Sequence, residues 1–146
     1  MKDAFGGIVN IVLVAIFLVI VSGILGLVVN YTKAFRMKNV VISTIEQYQG
    51  ASGCFDSAGT TGCMEKMKQK ASDFGYSPVL SCPSDYDRVE GLFCYKGVET
   101  DTGNYTYSII TQVDINIPII NKIMGLSIFQ VHGDTRDVIR KWKNYD

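Results

Sequence analysis

Four cysteines are the residues of this sequence with the clearest capacity for chemistry: Cys54, Cys63, Cys82 and Cys94. The gaps between them hold eight, eighteen and eleven residues. Zinc sites usually bring cysteines together in pairs about two to four residues apart, and redox sites of the thioredoxin type use Cys-x-x-Cys. Neither spacing occurs here. An even number of cysteines in a small, loop-rich region instead favours two disulfides, with four free thiols in a cytoplasmic domain as the alternative.

The four cysteines allow three pairings. We favour Cys54–Cys63 and Cys82–Cys94, because each pair closes a short local loop and the first loop is rich in Gly, Ser and Thr. Each closure is expected to stabilise the fold by about 2–3 kcal/mol. Because disulfides persist in oxidising compartments, this pattern predicts that the cysteine-bearing part of the chain is extracytoplasmic and displayed at the cell surface.

The other reactive side chains form no catalytic constellation. His132 is the one histidine of the sequence, so a paired relay or a site with several histidine ligands is not expected. The carboxylates of Asp85, Asp87 and Glu90 stand at spacings that suit calcium. Arg88 lies among them, however, and a polar turn is the preferred interpretation. We therefore expect no catalytic residue, no metal site and no cofactor, and we do not expect an enzyme.

The elements that must position the cysteines begin with an apolar segment. Residues 8–29 read IVNIVLVAIFLVIVSGILGLVV, a run of 22 residues without a charge. A helix needs about 20 apolar residues to cross a bilayer. The run is long for a secretory signal and lacks its flanking features, and buried core helices rarely stay apolar on every side for this length. Residues 1–31 are therefore predicted to be a single transmembrane segment in the lipid bilayer.

The helix is predicted to continue past the bilayer, since residues 32–49 contain neither Gly nor Pro. Gly50 then provides a natural end. We expect one helix over about residues 8–49, roughly 60 Å long at 1.5 Å per residue. Apolar residues at steps of three and four place one stripe on its second half, available to a domain formed by residues 32–146: Ala34, Met37, Val41, Ile45 and Tyr48.

The rest of the chain predicts a small α+β domain. Residues 64–74 favour a short helix that buries Met64, Met67 and Ala71 and ends at Gly75. Residues 105–118 alternate between two faces and predict a half-buried strand. Residues 126–132 predict another strand, interrupted by Gly133. The expected fold is α+β: a long membrane-spanning helix that continues into a domain with an antiparallel sheet and a short second helix.

The transmembrane segment also carries small residues. Ser22, Gly23 and Gly26 lie near one face, where small side chains allow two helices to approach closely in lipid. Incidental placement is the alternative interpretation. The segment is therefore a candidate assembly surface as well as an anchor.

Charge and cysteines give opposite predictions of orientation. Lys33, Arg36 and Lys38 follow the span while Lys2 precedes it, and the positive-inside tendency would place the domain in the cytoplasm. We give the cysteines more weight, because the charge difference is small and the following domain is long. Over the whole chain 14 basic residues balance 14 acidic ones. No nucleic-acid partner is expected, because such a partner requires a clustered basic face.

A long N-terminal helix, apolar and then amphipathic, followed by a small disulfide-bonded sheet resembles type IV pilins and pseudopilins. The layout is closest to the minor pilin-like proteins of tight-adherence secretion systems, with TYSIITQVDINIPII and GLSIFQVHGDTRDVI as the strands. The resemblance implies a prepilin peptidase site at a small residue before the apolar run, which would be Gly6 or Gly7. The family's glutamate at the fifth mature position has no counterpart, since Ile11 stands there after a cut at Gly6.

Two function classes follow from these patterns. The first is a pilin-like structural subunit that packs its N-terminal helix with copies of itself or with related subunits. The second is a membrane-tethered extracytoplasmic module that binds a ligand or a partner protein, with the helix as an anchor only. A membrane-bound enzyme is a distant third, because no nucleophile with a base and an orienting group is visible.

Overall fold

The computed structural model describes residues 2–48, 62–78, 80–89, 91–114 and 128–138, with side chains from residue 6 onward. Within these ranges lie two helices and four strands: α1 (Lys2–Gln47), α2 (Cys63–Phe74), β1 (Asp87–Val89), β2 (Phe93–Glu99), β3 (Tyr105–Asp114) and β4 (Ile128–Asp134). The strands form an antiparallel sheet in the order β1-β2-β3-β4. The predicted α+β class, with a long N-terminal apolar helix and a short second helix, is confirmed.

Helix α1 has two halves in different surroundings. Most of the large apolar side chains of residues 8–29 are at least half exposed, whereas Ala34, Met37, Val41 and Ile45 have no exposed surface. The helix is continuous and the predicted stripe is buried, as its spacing indicated. Tyr48 does not join the stripe, because α1 ends at Gln47 and the Tyr48 ring is 43 % exposed.

Helix α2 packs across the buried half of α1 and begins one residue earlier than predicted. Cys63, Met67 and Ala71, each four residues apart, form its buried face. Met64 is only partly buried, so the predicted face is corrected there. Gly75 ends the helix in the left-handed conformation (φ 60°, ψ 40°). Its N–H donates to the Ser72 carbonyl, and the next N–H donates to Ala71, which is the hydrogen-bond pattern of a Schellman cap.

Strand β3 is the centre of the sheet and packs directly on α1. It pairs with β2 through Ile109 opposite Tyr95, and with β4 through Ile109 opposite Gly133. The Thr111 hydroxyl donates a buried hydrogen bond of 3.1 Å to the Ala34 carbonyl of α1. Most of the main core therefore lies between α1, α2 and one face of the sheet.

The prediction of a half-buried strand is wrong for the second half of β3. Ile110 and Gln112 point away from α1, yet each is only 1 % exposed. Leu80, Cys82 and Tyr86 pack with Ile110 over this second face in a small cluster. The alternation of residues predicted that this face of β3 would be exposed to water. The segment that covers it has no regular secondary structure, so no sequence pattern indicated the cover. The strand ends at Asp114, and residues 115–118 of the predicted strand lie outside the described residues.

Gly133 does not interrupt strand β4, contrary to the prediction. It lies inside the strand, where α1 passes very close. A Cβ atom at this position would stand 2.7 Å from Cδ of Lys38 and 2.8 Å from Cδ1 of Ile42. The absence of a side chain therefore leaves room for the ends of the Lys38 and Ile42 side chains.

We expect Gly133→Val to destabilise the domain by about 1–3 kcal/mol, because the added methyl groups overlap side chains of α1. His132→Val is the matched control, since it places the same side chain at an exposed position of the same strand. Urea unfolding of the full chain in detergent micelles, followed by circular dichroism, measures both. An equal loss in the two variants would show that close packing at Gly133 is not the cause.

Candidate functional site

The first half of α1 is the largest unpartnered surface in the described part of the chain. We call residues 6–30 the apolar half-helix. None of the residues in its most apolar 18-residue window is buried in the fold, and the helix is long and apolar enough to cross a membrane. Such a surface is unstable in water, since exposure of apolar area costs roughly 25 cal/mol per Å². The surface is therefore suited to burial in lipid or against other helices.

The three small residues predicted for helix contacts lie within this half-helix. A Cβ atom at Gly23 or Gly26 would meet nothing within 4 Å, so both glycines form shallow places on the surface. The Ser22 hydroxyl donates to the Val19 carbonyl at 2.9 Å, which satisfies it without a partner. Gly6 and Gly7, the candidate processing positions, also lie inside α1 with open space around them.

The segment with Leu80, Cys82 and Tyr86 covers the second face of the sheet, and we call it the covering segment. The disulfide Cys82–Cys94 joins this segment to β2. Its Cα atoms are 5.7 Å apart, and Cys94 has no exposed surface. This is the pairing that the short local loop favoured. Cys63 is also disulfide-bonded, and Cys54, its expected partner, lies outside the described residues. None of the described cysteines is free, which is contrary to the four-thiol alternative.

Gln112 holds the same covering segment by a different means. Its side-chain oxygen accepts the Ser81 N–H at 2.7 Å, and its amide nitrogen donates to the Ser81 carbonyl. Its own backbone N–H donates to the Tyr76 hydroxyl at 3.0 Å. The side chain of one buried glutamine thus satisfies both backbone polar groups of Ser81, which has no strand partner.

A recess of about 150 Å³ opens beside Tyr76 at the end of the domain nearest the apolar half-helix. Asn30 and Lys33 of α1 line one side, and Asp114 at the end of β3 lines another. The Lys33 ammonium lies 3.5 Å from the Gly75 carbonyl. Burial raises the pKa of Tyr76 to about 12, although the N–H of Gln112 acts in the opposite direction.

The acidic cluster is divided between a turn and a strand, so the predicted polar turn holds for Asp85 but not for Asp87, which is the first residue of β1. Asp85 forms a 2.8 Å ion pair with Lys96, and this hydrogen bond lowers the pKa of the Asp85 carboxyl. Asp87 is exposed, and Glu90 lies outside the described residues. The described residues contain no group of three metal-ligating side chains. His132 is exposed on the sheet face that points away from α1.

An aromatic cluster at the point where α1 meets the domain was missed in the sequence. The Tyr31 ring stacks on Phe35 with centroids 6.3 Å apart and meets the edge of Phe129 at 5.8 Å. All three rings are exposed by 40–47 %. Tyr31 and Phe35, four residues apart just after the apolar run, were a readable signal. Phe129 was not, because its place depends on the register of β4.

No family model, no curated protein and no solved structure matches this chain. The resemblance to type IV pilins therefore remains one of layout. A function must therefore be inferred from two features of the structure: the apolar half-helix and the disulfide-bonded domain attached to it.

Removing the disulfide with the double variant Cys82→Ala and Cys94→Ala should cost about 3 kcal/mol, from the entropy of the loop of 12 residues that it closes. Urea unfolding of the full chain under non-reducing conditions measures the loss. Wild-type protein in a reducing agent should lose at least as much, because its other disulfide opens as well. A double variant as stable as the wild type would show that Gln112 alone holds the covering segment.

The raised pKa of Tyr76 predicts a loss of stability at high pH. Because the folded state holds the phenol proton more tightly than the unfolded state, this contribution is complete below pH 10 and disappears as pH rises toward about 12. Tyr76→Phe should lower stability by roughly 1–3 kcal/mol at neutral pH, since the Gln112 N–H loses its acceptor. It should also flatten the alkaline loss.

Thermal unfolding as a function of pH tests this expectation, with Tyr31→Phe as the control on an exposed ring. Parallel stability curves for Tyr76→Phe and wild type between neutral and alkaline pH would exclude Tyr76 as the titrating group.

Proposed function

We propose that this protein is a pilin-like structural subunit, or an assembly component, of a surface appendage of the type IV-filament or tight-adherence type. The observation that carries the proposal is the division of α1. One continuous helix leaves its first half largely exposed and builds its second half into the core of a small domain. A subunit of this form can bundle its first half with others while it displays its domain outside the bundle.

The chemistry of the uncovered half supports packing between helices. In lipid there is no hydrophobic gain when two apolar helices meet, so association depends on close van der Waals contact and on small residues. Ser22 and Gly26 are four residues apart and therefore face the same side, with Gly23 beside them. The proposed partners are copies of this chain or related subunits, in addition to the lipid bilayer.

The proposed orientation places the domain on the extracytoplasmic side. The buried disulfide Cys82–Cys94 supports it, because such bonds persist outside the reducing cytoplasm. Two of the three cations after the span also have roles in the fold. Lys33 approaches the Gly75 carbonyl, and Lys38 lies 4.2 Å above the Phe35 ring. Their presence on this side therefore has a reason apart from membrane topology.

Processing by a prepilin peptidase at Gly6 or Gly7 belongs to the same proposal. Cleavage after Gly6 would leave Ile11 at the fifth position, where the family carries glutamate. A subunit without that carboxylate would have to rely on shape and small residues for its contacts. A minor or assembly component suits this better than the main subunit of a filament.

Bulky residues at the small positions test the proposal. The double variant Gly23→Leu and Gly26→Leu should abolish or strongly reduce assembly, because leucine side chains prevent close approach of the helices. The helix itself should not be weakened, since leucine favours helices more than glycine does by about 0.8 kcal/mol per residue. Val28→Phe adds bulk on the opposite side of the helix and is the control.

Crosslinking in native membranes and electron microscopy of the purified assembly are the measurements. Filaments or oligomers in wild type and Val28→Phe, but not in the double glycine variant, would support the proposal. Isolated monomers in all three would favour the membrane-tethered binding module instead. Unchanged assembly in the double glycine variant would exclude a role for the small residues.

A further inference from the structure

The aromatic cluster lies at a defined depth relative to the apolar run. Residues 8–29 span about 33 Å as a helix, close to the roughly 30 Å hydrocarbon core of a bilayer. Along the same axis Tyr31 lies about 3 Å and Phe35 about 9 Å beyond Val29. The headgroup layer on each side is about 5–7 Å thick. Helical side chains lean toward the N-terminus, here toward the bilayer, so both rings reach that layer.

The third ring brings the folded domain to the same depth. Phe129 belongs to β4, and its ring centroid is 5.8 Å from that of Tyr31. Helix α1 contains no Gly or Pro after Gly26, so no flexible joint separates the span from the domain. If the apolar half-helix crosses a bilayer, the membrane-proximal edge of β4 must therefore lie at the bilayer surface.

The charges that α1 carries beside these rings have one sign, although Asp114 of β3 pairs with Ile128, the neighbour of Phe129. Between Ala4 and Ile45 the helix carries no acidic residue, while Arg36 is exposed and Lys38 lies over the Phe35 ring. Half-exposed aromatic rings with adjacent cations match the headgroup layer, which offers apolar contact below and phosphate oxygens above. Lys33 is left out of this set, because it shares the recess with the carboxylate of Asp114.

We infer that Tyr31, Phe35, Phe129, Arg36 and Lys38 form a collar that seats the domain on the phospholipid headgroups of its own bilayer. The collar holds the sheet at a fixed height and tilt against the membrane. The inference rests on the span and not on assembly between copies, so it stands or falls separately from the filament.

Single tryptophan reporters in the full chain test the collar. Trp142, the one tryptophan of the sequence, is first replaced by Phe. Phe129→Trp then reports on the collar, and Val98→Trp, 51 % exposed near the turn between β2 and β3, reports on a position outside the collar. Phe17→Trp reports on the span. Each variant is inserted at low density into vesicles of phosphatidylcholine with phosphatidylglycerol, which carry nitroxide quenchers either on the headgroup or deep in the acyl chain.

The expected result is several-fold stronger headgroup quenching of Phe129→Trp than of Val98→Trp, with less quenching by acrylamide from water. Phe17→Trp should be quenched from the acyl chain. Equal behaviour of Phe129→Trp and Val98→Trp would overturn the collar while leaving the span intact. Absence of acyl-chain quenching at Phe17→Trp would overturn the span and the collar together. If the tryptophan of Phe129→Trp became better shielded from acrylamide as the density of protein in the vesicles increased, this surface would contact a second copy of the chain instead of lipid.

Discussion

The buried stripe of α1 is the contact on which the rest of the fold depends. Ala34, Met37, Val41 and Ile45 have no exposed surface, and α2, β3 and β4 all pack against the helix that carries them. Without this stripe the short α2 and the four-stranded sheet would have no common core. Because the same helix continues into the apolar half-helix, the core of the domain and the candidate membrane anchor are one element. The position of the domain relative to the span is therefore set by helix geometry rather than by a linker.

The second face of the sheet is held by polar and covalent contacts. The covering segment before β1 is joined to β2 by Cys82–Cys94 and to β3 by Gln112 and Tyr76. These contacts hold an irregular segment against the sheet and give partners to the N–H and C=O of Ser81. A domain of this size has a limited core. Covering both faces of β3 increases the buried apolar area without another helix or strand.

The parts of this fold that depend on local patterns could be predicted from sequence. The long helix followed from the absence of charge in residues 8–29 and of Gly and Pro in residues 32–49, and the end of α2 followed from Gly75. The features that were missed depend on contacts between distant segments. The low strand propensity of glycine predicted an interruption at Gly133. In the structure Gly133 lies inside β4 and leaves room for the side chains of Lys38 and Ile42. Ile110 is predicted to face water by alternation, yet it is covered by Leu80 and Cys82. The aromatic cluster joins Tyr31 to Phe129, and no local pattern relates residues so far apart.

The same long-range contacts constrain how this protein can fold. The hydrogen bond from Thr111 to Ala34 joins residues 77 positions apart, and the bond from the Arg136 N–H to Glu46 spans 90 positions. A chain made from its N-terminus has its apolar segment ready for insertion before the sheet exists. Helix α2 can cover part of the α1 stripe before then, but full cover requires β3 and β4 to have been synthesised. The loop closed by Cys82–Cys94 and the hairpin of β2 and β3 are local and can form earlier. Closure of the sheet onto the helix thus needs the longest stretch of chain, and until it occurs the part of the stripe that the sheet will cover is open to wrong association.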